Sequence, residues 1–331
     1  MISLSKEQVE SFRDFIGTYG RFIVIGHKEP DGDCMSSSIG VSYILEHFGK
    51  ECVLLNYGPF KRSEVKKFAP LFTNEPPFMS QEDRKRTGLI IVDCSELSRL
   101  GDEMKDALEG LDCFIIDHHK TASVGDAKAI VDPTSPAAAL LVQQLYEALV
   151  GTPDTEKAKT LFFGLSTDTG FFRYLGTKDA EVFRAAARLV EAGSNPRETY
   201  QEMSGGKPWN TRKLLGIMLD RAERHISGKL VVSWETQEDT KPYGQEGRDS
   251  DALYSLMLAV EGVEAVAFVR QESDTNCTLG LRSKDKVDVS AVAAKFGGGG
   301  HKNASGASCE GKVETLIPAI VKEFARQMQG A

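Results

Sequence analysis

Arg21-Phe22-Ile23-Val24-Ile25-Gly26-His27-Lys28-Glu29-Pro30-Asp31-Gly32-Asp33 is the stretch from which the rest of the chain can be read. The run from Phe22 to Gly26 is apolar and rich in β-branched residues, which predicts a buried strand. The residues after it are polar, with an imidazole and two carboxylates placed around Pro30 and Gly32. From residue 35 to 48 apolar side chains return at helical spacing and stop at Gly49. Strand, polar turn and helix in that order begin a βαβ unit. In an open parallel sheet, ligands lie beyond the carboxyl ends of the strands. His27, Asp31 and Asp33 are therefore placed to meet one. Taken alone, the loop reads equally well as a polar turn whose aspartates cap the next helix.

The pattern repeats outward. Residues 51–56 (ECVLLN), 88–92 (GLIIV) and 113–116 (CFII) are further strands. They are continuous apolar runs, so both faces should be covered, and strands alternating with helices imply parallel βαβ units. Ser5 and Gln8 fit a capping box for a helix reaching about residue 19. Residues 136–150, 154–165 and 178–192 look helical. Ser204-Gly205-Gly206-Lys207-Pro208 is the strongest break. Beyond it come a helix over 211–224, strands over 229–234, 265–270 and 277–282, and helices over 251–260, 289–296 and 313–328. The fold class expected is α/β: a parallel sheet with helices on both faces, then a smaller α/β domain. The boundaries are 1–194, a linker over 195–212, and 213–331.

Composition excludes several classes. The 331 residues suit two domains of about 150. Hydrophobic residues make up 41% and charged residues 27%, too globular a balance for a disordered or fibrous chain. No apolar run approaches the ~18 residues of a membrane span, and the first residues do not resemble a signal peptide. The net charge of −8 argues against a non-specific nucleic-acid binder. Cys34, Cys52, Cys94, Cys113, Cys277 and Cys309 form no CxxC pair, and read as reduced thiols in a cytoplasmic chain rather than as disulfides or a structural zinc site.

Three strand ends each carry metal-capable residues. His27, Asp31 and Asp33 follow the first, Asp93 the third, and Asp117, His118 and His119 the fourth; Asp168 lies in a small polar turn after a helix. Each alone has an ordinary explanation, such as a helix cap for Asp93. Together they bring five carboxylates and three imidazoles to one sheet edge. So many like charges need a counter-charge, and divalent cations supply it. Mixed His and Asp donors suit manganese, with zinc, iron, cobalt or magnesium as lesser options. Two ions about 3.5–4 Å apart, bridged by a carboxylate, form a device for phosphoryl-ester hydrolysis.

The set His27-x-x-Pro30-Asp31-Gly32-Asp33, Asp93, Asp117-His118-His119 and Asp168 resembles motifs I to IV of the DHH phosphoesterase superfamily. Gly297-Gly298-Gly299-Gly300-His301 resembles the GGGH motif of its first type of associated domain. The two-domain size is similar to the branch that degrades very short RNA and dephosphorylates 3′-phosphoadenosine 5′-phosphate. The resemblance implies that His27 and Asp31 hold one metal, that Asp33, His118 and Asp168 hold the other, and that Asp93 bridges them. Asp117 would fix its neighbours by hydrogen bonds, and His119 would face the substrate phosphate or leaving oxygen. A hydroxide generated by the metals would be the nucleophile. Homodimers are common in the family.

The four glycines also have a physical reading of their own: a loop at Gly298, Gly299 and Gly300 turning N–H groups toward a phosphate, with His301 beside it. Arg282, at the end of a strand, could clamp a phosphate. The expected substrates are short RNA or DNA oligonucleotides or nucleotide bisphosphates. A cyclic or linear dinucleotide phosphodiesterase and a single-strand exonuclease are the rival enzymes. A metal-dependent nucleotide sensor is the non-enzymatic alternative. A long-strand exonuclease would need a basic track with stacking aromatics, which the charge opposes.

Overall fold

The structure is a computed structural model that describes residues 4–119, 127–244, 248–284 and 286–329. It divides into two compact units, Met1–Gly206 and Lys207–Ala331.

In the first unit, strands β1 (Arg21–Ile25), β2 (Glu51–Leu55), β3 (Thr87–Val92), β4 (Cys113–Asp117) and β5 (Lys128–Val131) form a parallel sheet in the order β2-β1-β3-β4-β5. Alternate residues serve opposite cores. Phe22, Val24, Ile90, Val92, Phe114 and Ile116 pack under Phe12, Phe15 and Ile16 of the Lys6–Thr18 helix and under the helices Gly32–His47, Ala138–Leu149 and Thr155–Asp168. Ile23, Ile25, Leu89, Ile91 and Ile115 pack on the other face with Leu100, Met104 and Leu108. Helices thus cover both faces, as the unbroken apolar runs require. The short Asp102–Leu108 helix and β5 carry too few apolar residues for either period to stand out. The capping box is formed: Gln8 N donates to Ser5 Oγ at 3.2 Å, and Ser5 N to Gln8 Oε1 at 2.8 Å.

The strand order reverses at β1. The chain goes from β1 out to β2, then returns past β1 to β3. That reversal opens a crevice at the carboxyl ends of β1 and β3, the usual ligand position in such sheets.

The expected linker is mostly helical. Asn195 caps a helix over Pro196–Ser204, its side chain accepting from Arg197 N and Glu198 N, and a second helix runs from Trp209 to Asp220. Within it, only Asn195 and Gly205 to Pro208 lie outside helix. Pro196 sits at the first helical turn, where its missing N–H costs nothing.

The second unit holds β6 (Glu223–His225), β7 (Leu230–Glu235), β8 (Ala265–Gln271), β9 (Asn276–Ser283), β10 (Gly299–His301) and β11 (Ala304–Glu310), in the order β10-β11-β9-β8-β7-β6. Only β7 and β8 pair in parallel. The expected glycine loop is instead a hairpin: Gly299 lies opposite Gly306 and His301 opposite Ala304. Gly299 and Gly300 thus lie in an edge strand of a β-ladder. Small residues conceal strand periodicity, because nothing alternates when one face is bare.

Candidate metal centre

His27 follows β1 directly. Its Nδ1 stands 2.9 Å from the Lys28 carbonyl, so Nε2 is turned toward Asp93 Oδ2 at 3.3 Å and Asp31 Oδ1 at 3.9 Å. His118 is oriented in the same way: Nδ1 lies 3.2 Å from the Ser135 carbonyl, and Nε2 faces Asp93 Oδ1 at 3.2 Å, Asp168 Oδ2 at 3.4 Å and Asp33 Oδ2 at 3.8 Å. A backbone carbonyl that takes Nδ1–H fixes the tautomer whose free Nε2 can bind a metal.

Asp93 lies between the two rings, one carboxylate oxygen toward each. It is 2% exposed, and its backbone is left-handed, with φ +57°. That conformation is costly for a non-glycine residue and clusters at functional sites. Asp93 caps no helix; the next helical turn starts at Leu97.

Asp31 and Asp33 each play a structural part as well. Asp31 accepts from Cys34 N at 3.1 Å and caps its own helix. Asp33 is fully buried and accepts from Ala138 N at 2.6 Å and Ala139 N at 2.7 Å. It thereby caps, across the fold, the Ala138–Leu149 helix, which has no side-chain cap of its own. Gly32 lets the Thr155–Asp168 helix come close. A Cβ there would stand 2.4 Å from Thr167 Cγ2, so only glycine allows Asp168 this near to Asp31 and Asp33.

Asp117 closes β4 and holds the turn after it. Its Oδ1 accepts from His118 N at 2.8 Å, from His119 N at 3.2 Å and from His119 Nδ1 at 2.7 Å, and Ser95 Oγ donates to Oδ2. The partly exposed His119 is the most accessible ring of the three.

The electrostatics are those of buried, crowded donors. Burial and the charges of Asp31 and Asp93 push the Asp168 carboxyl up to about 7. Burial, with Asp93 and Asp168 beside it, pushes Asp33 well above the usual range. Burial opposes a charge on His118, but the carboxylates of Asp93, Asp33 and Asp168 beside it raise it to about 10. In His27 burial is likewise outweighed, by Cys34, Asp31 and Asp93, and the ring is pushed well above its ordinary value. Asp31 is also buried, yet its contacts with His27 hold it well below the carboxylate range.

The residues fit divalent metals. Asp93 Oδ1 and His118 Nε2 are both buried and have no hydrogen-bond partner among the described residues. Unpaired buried polar atoms are expensive, and two of them converging on one space match the donor set of a cation. Among the described residues, donor atoms of Asp33, His118 and Asp168, of Asp93, His118 and His119, and of His27, Cys34 and Asp93 lie within 4.8 Å of one another in each group.

All eight sequence candidates of this edge therefore meet. Cys34, Ser95 and the Ser135 carbonyl join them without any motif signal. Ser95 and Ser135 act through folding, and Cys34 looked like a core thiol.

The second-unit candidates form a separate group. Across the sheet, His301 pairs with Ala304 and Ala304 with Arg282; in the next row on the same face, Gly299, Gly306 and Gly280 align. A Cβ on Gly298 would stand 2.1 Å from the Gly306 carbonyl, and one on Gly280 would stand 1.8 Å from the Tyr254 hydroxyl. Arg282 lies over the Tyr254 ring at 4.5 Å, and its NH2 is 4.0 Å from Asp251. An arginine and a histidine thus flank a strip stripped of side chains.

Residues 21–165 match the DHH family, N-terminal domain, and residues 230–330 match the DHHA1 domain. A Thermus thermophilus protein described as "Bifunctional oligoribonuclease and PAP phosphatase NrnA" is 30% identical over 314 residues, covering 93% of this chain and 91% of that one. The chain belongs to the DHH family. A Bacillus subtilis protein of the same description is 24% identical over 298 residues, covering 88% and 90%. The crystal structure of an exopolyphosphatase-related protein from Bacteroides fragilis superposes on this DHH chain with a TM-score of 0.87 at 21% identity, covering 98% of both, and shows the same fold. No helix among the described residues is long and apolar enough to cross a membrane.

Proposed function

We propose that this chain is a two-metal phosphoesterase that hydrolyses short oligoribonucleotides and 3′-phosphoadenosine 5′-phosphate. The carrying observation is Asp93, which turns one carboxylate oxygen to His27 and the other to His118, with the buried Oδ1 unpaired. The relatives' descriptions as oligoribonuclease and PAP phosphatase support the substrate class.

His27, Asp31 and Asp93 would hold one ion, and Asp33, His118 and Asp168, with Asp93 between the two, would hold the second. Divalent ions held there supply Lewis acidity at a phosphoryl oxygen and lower the pKa of water. Manganese would suit the second position, where three carboxylates join a single imidazole. Asp117 keeps the charge that orients His119: burial acts against that charge, but hydrogen bonds from His119 and Ser95 hold the carboxyl below its ordinary value. With Nδ1 fixed on Asp117, the His119 ring presents Nε2 to the substrate phosphate or leaving oxygen. Arg282, His301 and the strip of Gly298, Gly299 and Gly300 bind the parts of the substrate that do not react. The chain acts in the cytoplasm, in keeping with its six free cysteines, and as a homodimer.

A substrate panel with separated products tests this: dinucleotides to decanucleotides, the bisphosphate, cyclic dinucleotides and pyrophosphate, each with manganese. Mononucleotide release from the shortest RNAs and phosphate release from the bisphosphate are expected. Turnover of cyclic dinucleotides alone would replace the assignment with the phosphodiesterase one.

A further inference from the structure

Among the described residues, Cys34 is the one thiol in the donor groups gathered at this edge, and the roles above leave it unused. It lies in the first turn of the Gly32–His47 helix and is fully buried. Its sulfur occupies the space beside Gly26, where a Cβ would come within 2.2 Å of it; the Val92 carbonyl lies 3.2 Å from that same point. The sulfur thus sits between the ends of β1 and β3, directly beneath the two residues, His27 and Asp93, that follow those strands.

His27, Cys34 and Asp93 each offer a donor atom, all three residues are buried, and the three atoms lie within 4.8 Å of one another. That spread suits one ion, given metal–sulfur bonds of ~2.3 Å and metal–nitrogen bonds of ~2.0 Å. Two further observations point into the same space. The Asp93 carboxylate is 2% exposed with Oδ2 turned to His27 Nε2 at 3.3 Å, and its backbone is held at φ +57°. The thiol's hydrogen bond to the His27 carbonyl is long, at 3.9 Å.

We propose that Cys34 is a sulfur ligand of the ion held by His27 and Asp93, and that it biases this position toward thiophilic ions, zinc, cobalt or iron, over manganese. It rests on the two-metal assignment of this edge. As the sulfur–metal bond forms, the S–H bond breaks and its proton passes to solvent. The neighbouring position, made of Asp33, His118 and Asp168, has no sulfur, so the two positions differ in softness.

The test uses the full chain, stripped of metal and titrated with cobalt(II). The wild type should develop a near-ultraviolet thiolate-to-cobalt charge-transfer band. Cys34→Ser should lose that band but keep the visible ligand-field bands of bound cobalt, and Cys94→Ser should keep both. The preference for zinc over manganese should fall in Cys34→Ser by at least the roughly 10–100-fold that loss of an outer ligand partner costs. X-ray absorption on the zinc-loaded wild type needs no variant, and should find sulfur at about 2.3 Å. Absence of sulfur there, or a charge-transfer band unchanged in Cys34→Ser, would overturn the proposal and leave Cys34 a small core residue. None of these readouts requires turnover. Cobalt bound through sulfur in a chain that cleaves no phosphoester would sink the proposed function and keep the ligand; hydrolysis without sulfur would do the reverse.

Discussion

At the carboxyl ends of β1, β3 and β4, charged side chains are buried and held from behind; at the open edge of the second sheet, side chains are nearly absent. Asp33 has no exposure, and Asp93 has 2%. Each histidine ring but one is fixed by a backbone carbonyl, and His119 is fixed by Asp117. In β10, by contrast, Gly299, Gly300 and His301 are all exposed. The first region stores electrostatic energy that a cation can release. The second offers surface and two basic groups, at little cost to folding. Chemistry needs the former, because preorganised charge in a dry site is worth most.

The comparison breaks first at Asp93. Asp93→Ala should lose the ligand shared by both ions and several orders of magnitude in rate, with the fold retained. Metal content by mass spectrometry, circular dichroism and turnover with manganese check this, and near wild-type activity would sink the bridging role. His119→Ala comes next. It should slow every substrate, small chromogenic diesters included, by ~10²–10⁴-fold if the ring assists proton transfer, while the metal content holds.

Arg282→Ala should be milder and selective. Loss of one charge-assisted contact costs ~1.5–3 kcal/mol, roughly ten- to a hundred-fold in kcat/KM. The loss should appear mainly as a raised KM for oligonucleotides and spare the chromogenic diester. Equal loss of both would move Arg282 into the catalytic set.

The smallest effect is on stability. Asp168 and His118 titrate higher in the folded, metal-free chain than in an unfolded one. The folded state therefore binds more protons, and stability falls as pH rises: for Asp168 from the ordinary carboxylate range to about 7, and for His118 from the ordinary imidazole range to about 10. Chelated protein should lose Tm across that window. Metal should remove the decline, so the gap between loaded and chelated Tm should widen with pH. A gap that stays constant would mean that these groups do not face the metals.

The long elements were legible because they bury much apolar surface in one rhythm. RFIVI, GLIIV and CFII read as strands because both of their faces are covered, and the motif residues stood out because they follow those runs directly. The hairpin at 299–310 was hidden, since its glycines and alanines leave no alternation to detect. The 195–212 segment looked like a linker because Pro196 and Gly205-Gly206 flank a helix that starts with one breaker and ends before the other.

The sequence by itself determined which residues the strand ends carry, because a strand's last residue projects into the loop beyond it wherever the sheet lies. Only the tertiary structure decided which of those ends are neighbours. The order β2-β1-β3-β4-β5 puts β1 beside β3 and β3 beside β4, so Asp93 falls between His27 and His118. The same packing set Asp33 on the distant Ala138–Leu149 helix and slid Cys34 beneath Gly26. Contacts of that kind depend on distances between segments far apart in the chain, and no local pattern encodes them.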